Sequence, residues 1–314
     1  MAYNDVTSRA DATALIPEQA AQNIIQDLPG QSAVFALATK LPNMSRGQLR
    51  MPVLQNLPIA YFRNPTDTGI SQTTDQTWEN KYITAEELVV TCPIPKTVME
   101  DSDFDMWGEI KPRLVEAIGA AVDAAVLKGT NAPASWPTDI KTAATAAGQT
   151  ISLANFADLY DAILSAGGAC DLVESDGFDV SGHLAVPGMK SKFRGMRDSD
   201  GSPIFSTAMQ QANTYYLDGN PVTFANNGAV TSADFLEVCG AWRKLVYSVR
   251  RDIEFIRLDQ GVITDNAGAV VFNLPQQGMV ALQVTMRLGW QLPNPPNRVN
   301  ANAATRYPFA VLTA

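Results

Sequence analysis

The side chains able to do chemistry are few. The chain has one histidine, His183, and three cysteines, Cys92, Cys170 and Cys239. One imidazole cannot build a two-histidine metal site, a zincin helix or a facial triad. The cysteines are odd in number and far apart, with no C-x-x-C pair. That argues against a disulfide framework and against structural zinc, and leaves free thiols in a reducing compartment as the expectation. As a base, His183 could activate Ser181 or Cys170, so a cytosolic hydrolase with a site near His183 stays open as an alternative. Residues so close along one strand rarely form a triad. Asp198-Ser199-Asp200-Gly201 has part of a calcium-loop pattern, but aligned on its glycine the first and twelfth positions are Met196 and Thr207, neither a carboxylate. A plain turn is expected. No G-x-G-x-x-G, G-x-x-x-x-G-K-[ST] or G-x-S-x-G occurs. No catalytic, metal or cofactor residue is therefore assigned.

Charge narrows the partners. Lysine and arginine total 23 and aspartate and glutamate 32, a net charge of −9, whereas affinity for nucleic acid comes mainly from basic side chains neutralising phosphates. DNA near this protein must be held by something other than direct attraction. Glu86-Glu87, Glu100-Asp101 and Arg250-Arg251-Asp252 read as solvated faces that could fix register at subunit borders. Lys40, Arg46 and Arg50 form a modest basic cluster able to touch DNA or an acidic neighbour. Asp5, Asp11 and Glu18 interrupt the start, so no signal peptide is expected. No run approaches the ~18 apolar residues of a membrane span. Synthesis in a cytoplasm, with no membrane partner, is the expectation.

Length implies two domains, or one with insertions, at roughly 100–200 residues each. Residues 1–48 read as an arm with too little apolar material for its own core. It has a short helical stretch at Ile24, Ile25 and Leu28, then Val34, Phe35 and Leu37, and must be ordered by packing on something else. Residues 50–97 read as extended, with a polar tip at Asn64–Asp75. Two arms of about 12 residues at ~3.3 Å each would reach roughly 40 Å, a hairpin marginal in water without a surface to lie on.

From Asp103 the apolar residues Phe104, Trp107, Ile110, Leu114, Ile118, Val122 and Val126 recur at helical steps, ending at Lys128-Gly129. Pro112 should kink this spine or split off its first turn. Residues 130–151 look like a connection and a domain boundary. A helix capped by Ser152 is expected to turn Leu153, Phe156, Leu159, Tyr160 and Ile163 inward and to stop at Gly167-Gly168. Then follow a strand at His183–Val186, a helix from Pro187 to Arg197, and a strand pair around Asp218-Gly219-Asn220. Leu245, Tyr247, Val249, Ile253 and Phe255 share one strand parity. Val280, Leu282, Val284, Met286, Leu288 and Trp290 give the clearest alternation, a long strand with one buried face.

Together these parts resemble the HK97-fold major capsid proteins of tailed bacteriophages. The resemblance is carried by Leu15-Ile16-Pro17-Glu18, Trp78-Glu79-Asn80-Lys81, Val98-Met99-Glu100-Asp101-Ser102, the Arg197–Pro203 turn, Val249-Arg250-Arg251-Asp252, and Gln276 to Gly289. It implies an α+β capsid fold with an N-arm (1–48), an E-loop hairpin (49–88), a P-domain on the spine helix (89–150), an inserted A-domain (151–262), and a return to the P-domain with the last strands (263–314). It also implies self-assembly as hexons and pentons into an icosahedral shell around double-stranded DNA, bound without sequence specificity, with a portal protein as partner and the virion as destination. Since arm-like residues begin at once, a separate scaffolding protein or none is expected. A lysine–asparagine crosslink is not expected, because Lys81 sits on the hairpin's return arm. Trp78, Glu79, Lys81, Glu100, Asp101, Arg250, Arg251, Asp252 and Arg287 become the inter-subunit contact candidates. An encapsulin-like nanocompartment, or a tail or decoration protein, would be the neighbouring alternatives.

Overall fold

Two main sheets share one apolar interior in the computed structural model, which describes residues 32–60, 62, 73–102, 105–197, 200–202, 215–265 and 267–314. The first has four strands, in the order Thr39–Lys40, Val246–Leu258, Met279–Gln291, Glu86–Pro95. Met279–Gln291 is antiparallel to both neighbours, from Val246↔Gln291 to Leu258↔Ala281 on one side and from Met279↔Pro95 to Leu288↔Glu86 on the other. Its even-numbered side chains, Val280 to Trp290, are buried as the alternation predicts. The other face departs from expectation, because Ala281, Thr285 and Gly289 are buried as well. A Cβ on Gly289 would collide with the Thr84 carbonyl, so only glycine lets the two backbones approach there.

The neighbouring strand breaks its predicted parity. Register shifts follow Val249 and Arg251, so Arg250–Asp252 bulge. Beyond the bulge Ile253 is half-buried and Phe255 is exposed. Strand periodicity carries over only while the ladder is regular.

The second sheet has six strands, in the order Thr150–Ser152, Phe309–Thr313, Glu237–Gly240, Gly182–Ala185, Asn220–Phe224, Tyr216–Leu217. The short pair at Tyr216–Leu217 and Asn220–Phe224 lies where the Asp218-Gly219 turn predicts it. Sheet membership does not follow the segment boundaries at 151–262 and 263–314. Val246–Leu258 belongs to the four-stranded sheet, and Phe309–Thr313 to the six-stranded one. Strand order is set by long-range pairing, which local pattern does not report.

The long helix runs Met106–Lys128, about 35 Å at 1.5 Å per residue. Residues 103 and 104, where its start was expected, lie outside the described residues. Leu114, Ile118, Val122 and Val126 are buried as the stripe predicts. The helix continues through Pro112 without splitting. The residue four back, whose carbonyl the ring approaches, is Gly108, which gives the backbone latitude. At its end Gly129 takes φ +70° and donates to Ala125 O at 3.2 Å, an αL closure, while Thr130 donates to Ala124 O at 3.2 Å.

The expected linker at 130–151 contains a helix, Ile140–Ala147. Asp139 caps it by accepting from Thr142 N at 2.9 Å, and Ile140 and Ala144 are fully buried. Alanine-rich composition concealed this i, i+4 pair. The helix expected after Ser152 is divided instead. Ser152 caps only the 3-10 turn Leu153–Asn155, a separate helix spans Leu159–Leu164 with Tyr160 outward, and Ala169–Ser175 follows.

The hairpin pairs seven residues on each side, Gln48–Leu54 with Trp78–Thr84, from Gln48↔Thr84 to Leu54↔Trp78. That ladder is shorter than the expected arms, because Glu86–Pro95 joins the four-stranded sheet instead. Most of the polar tip, residues 63–72, lies outside the described residues, as do residues 1–31 of the arm. The hairpin's base rests on its own chain. Ile83, Met44 and Ala85 form a small core there, with Leu41, Leu49, Met51 and Val246 packed against it. Residues 32–44, expected to need a foreign surface, also dock on their own subunit. Phe35 stacks on Tyr247 with ring centroids 4.5 Å apart, and Thr39–Lys40 pairs parallel with Val246–Tyr247.

Candidate assembly surfaces

Buried polar groups fix the frame that carries the surfaces. Asp123, on the long helix, is fully buried. It accepts from Ser32 Oγ, from Ala33 N at 2.8 Å, from Val34 N at 3.2 Å and from Asn227 Nδ2 at 2.6 Å. One carboxylate thus ties the arm, the helix and a loop of the six-stranded sheet together. Burial pushes its pKa up from 3.8, opposed by these hydrogen bonds. Asp176 plays a similar part for the stretch 294–307. It accepts from Gln149 Nε2 at 2.7 Å, Asn300 Nδ2 at 2.7 Å and Tyr307 N at 2.9 Å. Nearby, Arg306 donates to Asn300 O at 2.9 Å and Asn294 Oδ1 at 3.2 Å. Sequence reading missed both nodes. The available signal was an aspartate inside the apolar run Ala120–Val126, too costly to bury unless its oxygens are satisfied.

His183 is sealed. Its Nδ1 lies 2.6 Å from Glu237 Oε1, with the two side chains 0% and 1% exposed. Ser181 Oγ turns to the backbone, donating to Gly240 O and accepting from Arg243 N, each at 3.4 Å. No substrate reaches such a pair, and the hydrolase reading falls with it.

The contact candidates do not converge on one site. Trp78 is 64% exposed on the hairpin, beside the Glu79–Lys81 pair at 3.5 Å. Glu100 and Asp101 stand exposed at the end of the helix Lys96–Asp101. Arg250, Arg251 and Asp252 are exposed on the bulge. Arg251 pairs with Glu254 at 3.5 Å, and Arg250 lies against the turn at Gly47, next in sequence to Arg46. Lys40, Arg46 and Arg50 are exposed. Arg287 differs from the rest, being half-buried and donating to Ala85 O at 3.4 Å within its own subunit. The hairpin adds Ile59, Phe62 and Tyr82 to its exposed apolar residues. The turn at 198–201 lies partly outside the described residues, with Gly201 at φ +82°.

A two-sheet body thus carries exposed apolar side chains on its hairpin. The phage capsid family model matches residues 12–297, and the chain belongs to this family. A solved structure from Microbacterium phage Oxtober96 superposes with a TM-score of 0.84 at 31% identity, covering 98% of this chain and 99% of that one. One from Mycobacterium phage Cain gives 0.81 at 28%, covering 98% of each. The capsid of a native GTA particle, at 16% identity and TM-score 0.66 over 99% of this chain and 100% of that one, shares the fold. No curated protein matches the chain. The protein is an HK97-fold major capsid protein of the virion, a structural protein that builds the icosahedral shell of a double-stranded DNA phage. These matches favour a phage shell over a nanocompartment or a tail protein.

Proposed function

We propose that subunits assemble as hexons and pentons in which the hairpin 48–84 serves as the E-loop and lies across a neighbouring subunit. The observation that carries this reading is the exposure of Ile59, Phe62, Trp78 and Tyr82 along one hairpin, at 70%, 104%, 64% and 48%, although Arg298 of the same chain donates to Pro58 O at 2.8 Å. Four such side chains gathered on one element mark a surface fit to take a partner. In the same scheme residues 1–48 are the N-arm. The long helix and four-stranded sheet form the peripheral domain. The six-stranded sheet, with its helices and the strand Phe309–Thr313, forms the axial domain. Trp78, Glu79, Lys81, Glu100, Asp101 and Arg250–Asp252 meet neighbouring copies, with charge complementarity setting register. Arg287 is a further candidate, and it also braces the hairpin base of its own subunit.

A portal protein, with a scaffolding protein or without one, completes the protein partners. Packaged DNA is retained by confinement, and the net charge of −9 keeps the wall from gripping a genome that must leave. Negative-stain microscopy of the purified chain tests the core of this reading. Closed shells of hexons and pentons are expected, with hairpin density crossing a subunit border. Open rings, or a hairpin lying wholly on its own subunit, would refute it.

A further inference from the structure

The hairpin has two unlike faces. Cross-strand partners project to the same side of a ladder, and the register puts Leu49 with Ile83 and Val53 with Glu79 on one side. Ile83 and Val53 are buried there and Leu49 is half-buried, so this side lies on its own subunit. The other side carries Leu54 with Trp78, Pro52 with Asn80 and Arg50 with Tyr82. It is aromatic and basic, holds no acidic group, and leaves Trp78, Tyr82 and Arg50 exposed. Elsewhere a cavity of about 210 Å³ opens between the helix Met106–Lys128 and the edge strand Glu86–Pro95. Leu88, Ala121, Ala125, Leu288 and Trp136 line it, and Glu87 stands exposed at its rim. Its walls are held in place, since Trp136 Nε1 donates to Thr84 O at 3.2 Å and Ser135 Oγ to Glu86 Oε1 at 2.6 Å. Glu87 has no cation within 4 Å among the described residues. Arg287, opposite it in the ladder, is turned to Ala85 O.

We propose that this cavity is a socket for a second copy of the chain, whose Trp78 indole enters it while its Arg50 pairs with Glu87 at the rim. The inference rests on the reading that the hairpin crosses a neighbouring subunit, and it adds where the hairpin lands. Size selects the occupant. An apolar void of about 150 Å³ holds a benzene ring, so this one has room for a single bicyclic side chain. The chain's own Trp78 is out of reach. Thr84, which Trp136 contacts, lies at the hairpin base, and six residues of strand at ~3.3 Å carry Trp78 about 20 Å beyond it. Charge sets the direction of entry. Arg50 stands opposite Tyr82, four residues or about 13 Å along the ladder from Trp78, a gap that the lengths of an arginine and a glutamate side chain narrow to contact. The buried indole would supply the apolar area, and the rim pair the register.

The test joins the two surfaces covalently and then exchanges their charges. Shells of the W78C/A121C double variant, oxidised with copper phenanthroline, should give dimers and higher species on non-reducing gels. Parent and W78C shells should stay at the monomer band. In light scattering, R50E and E87R should each raise the concentration needed for assembly about tenfold or more, and R50E/E87R should return it to within about threefold of the parent. Absence of the link, or a link closed within one chain and seen as a faster monomer, would overturn the socket. Failure of R50E/E87R to recover assembly, with urea titration showing its subunits folded, would overturn the rim pair. If W78C/A121C does not fold, the charge exchange still decides. Microscopy separates the two levels of the argument. A hairpin that crosses a border without link or recovery sinks the socket alone, whereas one lying wholly on its own subunit sinks the E-loop reading with it.

Discussion

Replacing Asp123 by alanine would strand four donors at once, Ser32 Oγ, Ala33 N, Val34 N and Asn227 Nδ2. Each buried donor left without a partner costs about 1–3 kcal/mol. Four at the low end give about 4 kcal/mol, offset in part because no carboxylate must then be desolvated. A net loss of about 2–4 kcal/mol is expected. D123N should cost less, about 1–2 kcal/mol, since one oxygen still accepts while the new amide faces other donors. The loss should be local before it is global. Amide hydrogen exchange at Val34, Phe35 and Ala38 should accelerate at least tenfold, tenfold being about 1.4 kcal/mol, while amides in Met279–Gln291 keep their protection relative to global unfolding. Because the folded carboxyl binds its proton more tightly than the unfolded one, its contribution to stability is full below the ordinary pKa of 3.8 and is lost as pH rises through the raised folded value. Urea titrations on dissociated subunits should show that slope in the parent and not in D123N. Unchanged exchange in the arm of D123A, with under about 1 kcal/mol lost overall, would refute the idea that this carboxylate holds the arm.

G289A should lift the hairpin base off the sheet, because its Cβ would meet the Thr84 carbonyl and Ile83; overpacking of about 2–3 kcal/mol should appear in the melting of isolated subunits. E237A strands the buried His183 Nδ1 and should cost about 1–3 kcal/mol in urea denaturation, with E237Q costing less than half as much because its amide oxygen still accepts. W78A should change subunit stability by under about 0.5 kcal/mol yet raise the concentration needed for assembly about tenfold or more, measured by light scattering. Equal effects of W78A on both quantities would place Trp78 inside its own subunit's core.

Local chemistry was legible where local rules governed. The stripe Leu114–Val126, the Gly129 stop, the Asp218-Gly219 turn and the even face of Met279–Gln291 all follow from periodicity or from φ preference. Legibility ended where distant segments decide. The bulge at Arg250–Asp252 turned Phe255 outward although its parity placed it inward. Tyr160 faces solvent because the helix it was assigned to is two pieces. The hidden alanine helix Ile140–Ala147 lacked a contrast between polar and apolar faces. Of the surface candidates, Trp78 and the charged bulge are exposed, and Arg287 is half-buried with a hydrogen bond to Ala85 O, a long-range contact that strand alternation does not report. Asp123 was passed over because its worth depends on Ser32 and Asn227, each about 90 or more positions away.

The strand Phe309–Thr313 lies inside the six-stranded sheet, parallel to Thr150–Ser152 and antiparallel to Glu237–Gly240. Its neighbours leave the ribosome some 70 to 160 residues earlier, at roughly 5–20 residues per second. For several seconds a nascent subunit therefore holds an open slot flanked by two unpaired strand edges. Those edges are where prematurely released or truncated chains would stick to one another. Arrival of this strand is therefore a checkpoint, so that a subunit missing the segment lacks the finished sheet with which to enter a lattice.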